Sequence, residues 1–73
     1  MFKPYPALSK FENLCLLFIR TECNPAISEI EACGYSKDFV MEMTSHPLWG
    51  SGSPKRILES CNHYLKLQGI HVK

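Results

Sequence analysis

An all-α bundle of about four helices is the fold this sequence predicts, and three observations point to it. Helix-start signals recur at Ser9, Asn24-Pro25, Ser36 and Ser53-Pro54. Apolar residues follow each start at spacings of three and four, the period of one helix face. Gly34 and Gly69 fall where such stretches end, and glycine readily takes the left-handed conformation that closes a helix.

The first helix is expected to open at Ser9. Ser9-Lys10-Phe11-Glu12 has the spacing of a capping box, in which hydroxyl and carboxylate satisfy two free amides reciprocally. Phe11, Leu14, Cys15 and Phe18 then share a face, and Leu16, Leu17 and Ile19 extend the apolar surface around the helix. That breadth makes the helix central to the bundle or buried against another chain. A homodimer through Leu14, Leu17 and Phe18 is the reading adopted at this point, with the leader or the Leu48-Trp49 loop as the alternative cover. Pro4 and Pro6 keep residues 1–8 an extended leader.

Asn24-Pro25 reads as the start of the second helix, with Asn24 as cap and the proline in the first turn, where its missing amide costs nothing. Ile27, Ile30 and Cys33 form its apolar stripe up to Gly34. Ser36 caps a third helix with Phe39, Val40 and Met43 on its buried face, stopping near His46 because Pro47 disfavours helical geometry before it. PLWGSG, residues 47–52, is a loop carrying the single tryptophan, Trp49. The fourth helix, opened by Ser53-Pro54, bears Ile57, Leu58, Cys61, Tyr64 and Leu65 on one stripe, and residues 70–73 form a tail.

At 73 residues and 45% hydrophobic content the chain is one domain, near the lower size limit for a self-sufficient core. Eight Lys and Arg against seven Asp and Glu leave a formal charge of +1, without the basic excess of a dedicated nucleic-acid binder. The apolar run LCLLFI, residues 14–19, is too short to span a membrane and lacks the layout of a signal peptide, so a soluble cytoplasmic protein is expected. Cys15, Cys23, Cys33 and Cys61 fall on helical stripes or helix ends and read as reduced core residues. No pair of them has the Cys-x-x-Cys spacing of a zinc knuckle, and Cys61 and His63 diverge on a helix. Neither a metal, a cofactor nor an enzymatic activity is therefore expected.

Two resemblances bear on function. Ile27-x-x-Ile30-x-x-Cys33-Gly34-Tyr35-Ser36 resembles the first helix and Met-Gly-Phe/Tyr turn of ubiquitin-associated domains. Leu58-x-x-Cys61-x-x-Tyr64-Leu65 is similar to their third helix. Together they cover residues 27–66 and imply a ubiquitin-associated-like core preceded by an extra N-terminal helix. The resemblance also implies a protein partner, met by the turn at Gly34, Tyr35 and Ser36 and by the last helix at Tyr64 and Leu65, with Trp49 a further exposed aromatic anchor. The same turn also resembles that of helix-turn-helix regulators, which would send Ser36 and Lys37 into the DNA major groove and put Lys55 and Arg56 on the backbone. A non-enzymatic protein-interaction domain is the leading expectation, and a small DNA-binding regulator is the alternative.

Overall fold

The computed structural model describes residues 2–46 and 53–71. Among them four helices occur: α1 (Lys10–Thr21), α2 (Ile27–Ala32), α3 (Lys37–Thr44) and α4 (Pro54–Leu67). The all-α expectation holds. The loop expected over residues 47–52, with Trp49, lies outside the described residues.

α1 opens as its sequence dictates. The Ser9 hydroxyl accepts the Glu12 N–H at 3.1 Å and the Glu12 carboxylate accepts the Ser9 N–H at 2.9 Å, completing the capping box. Its middle turns are the centre of the core: Leu14, Cys15 and Leu17 are 0% exposed, and Leu16 and Phe18 are also buried. α4 packs along α1 more extensively than any other helix pair, and α2 also packs on α1, so the N-terminal helix is the hub of the bundle.

That burial corrects the dimer surface. Leu14 and Leu17 are fully enclosed within one chain and Phe18 almost so, which leaves them almost no area to present to a second copy. The leader helps to cover this helix. Phe2 is buried in the core, Leu8 packs against it, and the Arg20 guanidinium lies 5.6 Å over the Phe2 ring. The leader is not extended throughout, because the Leu8 N–H bonds to the Tyr5 carbonyl at 3.1 Å, closing a turn with Pro6 at its second position.

α2 begins two residues later than the Asn24-Pro25 signal. Asn24 instead donates its N–H to the Thr21 carbonyl at 3.0 Å in the turn leaving α1. Ala26 takes the cap position, and the Glu29 carboxylate accepts its N–H at 3.3 Å. The other oxygen of Glu29 accepts the Phe2 N–H at 3.2 Å, tying the leader to α2. Only Ile30 is buried on this short helix, whereas Ile27 at its first position is 51% exposed, contrary to the expected stripe.

Three helices end in the same way. In α1, α2 and α4 the chain turns through a residue of positive φ at the helix end, at the cap Glu22 itself (52°) and, one residue past the caps Cys33 and Gln68, at Gly34 (89°) and Gly69 (75°). The next residue returns its N–H five positions: Cys23 to Phe18 at 2.9 Å, Tyr35 to Ile30 at 3.3 Å, and Ile70 to Leu65 at 2.9 Å. Each is a Schellman motif, and in each an apolar residue outside the helix packs on the core beside a buried apolar one inside it. α3 lacks this ending and stops at Thr44, where the Thr44 and Ser45 hydroxyls bond back to the Met41 carbonyl at 3.1 and 2.9 Å.

Candidate functional site

The turn between α2 and α3 is built around Gly34. Its φ of 89° disfavours any side chain, and a Cβ there would meet the Lys10 side chain at 2.9 Å. The aliphatic stem of Lys10 thus lies across the turn. Tyr35 follows in a fixed position, since its own N–H closes the Schellman motif on Ile30. Ser36 caps α3, its hydroxyl accepting the Phe39 N–H at 3.2 Å.

That cap places Phe39 one helical turn beyond Tyr35. The two rings stack with centroids 5.2 Å apart and planes at 18°. Phe39 was expected on the buried face of α3, but Val40 fills that place and Phe39 remains 48% exposed. Beside it, on the α1–α4 side, Phe11 and Tyr64 meet edge to face at 4.8 Å and 86°. Burial pushes the Tyr35 hydroxyl above its ordinary range, and Cys15, Tyr64 and Cys33 lie near enough to add to the shift. Tyr35 is therefore neutral at physiological pH.

The residues expected to meet a partner do not all lie together at the surface. Gly34, Tyr35 and Ser36 lie at the turn beside Phe39 and Lys10, and Tyr64 is half-buried. Leu65 is fully buried and accepts the Ile70 N–H that ends α4, so it is not exposed to a partner. Trp49 lies outside the described residues. The sequence signal for this pairing is spacing: Phe39 lies four residues after Tyr35, where an aromatic pair can form across a helix start.

The cations of the DNA reading are exposed but mixed with acids. Lys37 lines a shallow groove of about 260 Å³ with Val40 and Met41 on one side and Pro54 and Ile57 on the other. Lys55 and Arg56 occupy the first turn of α4. The rest of the exposed surface of α3 consists of Asp38, Phe39, Met41 and Glu42, so two carboxylates would meet phosphate along with one lysine. The Ser36 hydroxyl is already engaged as a cap.

Comparison with protein-family models, curated proteins and solved structures finds no match for this chain. Its chemistry must be read from its own residues.

All four cysteines are free. The Cys61 thiol is pushed far up, first by its hydrogen bond with Cys15 and then by burial. Burial raises Cys33, with Glu29 adding to it, and burial raises Cys23, with Cys61 adding to it. The Cys23 thiol also points at the Pro54 carbonyl, 3.6 Å away. These three groups stay protonated at neutral pH, which makes them weak nucleophiles and poor metal ligands. Among the described residues no group of three or more His, Cys, Asp or Glu is placed to hold a metal, and no helix is long and apolar enough to cross a membrane.

Proposed function

We propose that this chain is a small non-enzymatic protein-interaction domain with a ubiquitin-associated-like core over residues 27–66. Its contact surface is the Gly34-Tyr35-Ser36 turn together with Phe39, bordered by Tyr64. The observation that carries the reading is the half-exposed Phe39 ring stacked on Tyr35. A rigid aromatic pair held at a capped turn offers a partner large apolar area with little entropy left to lose on binding. Protonated thiols and the near-neutral charge of +1 agree with it. The DNA-binding reading draws less support, since Asp38 and Glu42 flank Lys37 on α3.

Partner capture from a lysate, with and without nuclease, tests the proposal with wild type, Phe39→Ser, and Leu67→Ser as a control at an exposed apolar position on another helix. Phe39→Ser should lose the specific partner and Leu67→Ser should keep it. Identical partner sets in all three would overturn the surface. A partner that vanishes with nuclease treatment would favour the DNA-binding alternative.

A further inference from the structure

A cleft of about 690 Å³ opens between the leader, α1 and the C-terminal segment, and it shares no residue with the aromatic turn. Its volume lies within the roughly 300–1,000 Å³ of small-molecule sites. Ala7 and Leu8 of the leader, Leu16 of α1 and Ile70 supply an apolar lining. Arg20, His71 and the Tyr5 ring complete it, and no carboxylate is among the lining residues.

The walls are fixed without a ligand. Asn13 is bonded to Tyr5 through both ends of its amide, at 2.7 and 3.1 Å, which holds the leader wall. Ile70 is held by its N–H bond to Leu65 at 2.9 Å. Arg20 is steadied by the Phe2 ring 5.6 Å from its guanidinium, a contact that leaves its fork of N–H donors available.

A preformed apolar cleft with a permanently charged guanidinium and an imidazole, and no carboxylate among its described lining residues, is complementary to a molecule with an apolar chain and an anionic head. We propose that this cleft binds a medium- to long-chain aliphatic carboxylate, its chain along Leu8, Leu16 and Ile70 and its carboxylate on Arg20. Sequence reading did not reach the site, because its residues come from three distant segments.

The test is a titration of the isotopically labelled protein with octanoate, decanoate and 1-decanol, each below its micelle or solubility limit, following the amide resonances of Leu16, Arg20 and Ile70. Decanoate should bind saturably, and more tightly than octanoate by roughly fourfold per methylene added. Decanol should bind at least about tenfold more weakly, and Arg20→Gln should weaken decanoate by a similar factor, as loss of a charge-assisted pair requires. Ala7→Trp, at an exposed leader position, should fill the cleft and abolish binding while circular dichroism stays unchanged. The proposal is overturned if decanoate does not saturate, if decanol binds as tightly, or if folded Arg20→Gln binds as wild type does. A short peptide ending in Leu-Val that binds more tightly than decanoate and displaces it would overturn it in favour of a chain terminus.

Discussion

Asn13 holds Tyr5 by both ends of its side-chain amide, accepting the Tyr5 N–H at 2.7 Å and donating to the Tyr5 carbonyl at 3.1 Å. The same nitrogen also reaches the Leu8 carbonyl at 3.4 Å and the Ser9 carbonyl at 3.1 Å. Among the described residues Asn13 is the one buried polar residue, and it fastens the leader over α1. Its removal would leave partly buried backbone groups of the leader without their partner, each costing up to about 1–3 kcal/mol where water cannot reach it. Asn13→Ala should lower stability by about 2–4 kcal/mol. Hydrogen exchange should show protection lost first at the Tyr5 and Leu8 amides. Unchanged exchange at both would contradict the latch.

Leu17 separates the two accounts of α1. At a dimer interface, Leu17→Glu would yield a folded monomer. In the fully buried position observed, it places a carboxylate in the core and should unfold the chain. Circular dichroism should show loss of helix, and the milder Leu17→Ala should cost about 2–5 kcal/mol in urea melts. A helical, monomeric Leu17→Glu protein would contradict this core assignment.

Two helix ends respond oppositely to glycine. Glu22 has a φ of 52°, and Cys23 beside it has a φ of 64°, a costly conformation for two consecutive residues with side chains. Glu22→Gly should therefore raise stability by about 0.5–1 kcal/mol. Gly34→Ala should lower it by about 1–2 kcal/mol, because the φ of 89° persists while Lys10 must also move. Thermal melts of the two variants should shift in opposite directions.

Alkaline pH should destabilise the fold. Cys23, Cys33 and Cys61 all have thiol pKa values raised above their ordinary 9.0, so above about pH 9 the unfolded chain loses protons that the folded chain retains. Fewer protons bound in the unfolded state means that stability falls as pH rises. It is fully present below that range. For the fully buried Cys61 the slope approaches about 1.4 kcal/mol per pH unit. The urea midpoint should drop between pH 8 and 10.5, and Cys61→Ala should flatten the drop. An unchanged slope in that variant would remove Cys61 as its source.

The helix starts at Ser9 and Ser36 and the ends at Gly34 and Gly69 were legible because each depends on residues within five positions of one another. Asn24-Pro25 misled for the same reason: it is a sound local signal, but Asn24 serves the end of α1 and α2 waits for the carboxylate of Glu29 at Ala26. Of the candidate surface, Gly34, Tyr35 and Ser36 could be named from their turn, and Tyr64 from its stripe. Leu65 could not be told from Tyr64 by periodicity, as adjacent residues on a helix flank one another and only the packing of α4 on α1 decides which is covered.

The sequence by itself determined an all-helical chain, its approximate helix order and the chemistry of its caps, because these arise from short-range hydrogen bonding and the 3.6-residue period. The tertiary structure decided what covers the apolar α1, which of Phe39 and Val40 faces out, and that Arg20 shares a cleft with Ile70 and His71. Those outcomes depend on contacts between residues far apart in the chain. Apolar periodicity says that a face will be buried but leaves its partner unspecified, since the hydrophobic effect rewards any closely packed cover, from a second chain to an eight-residue leader latched by one asparagine.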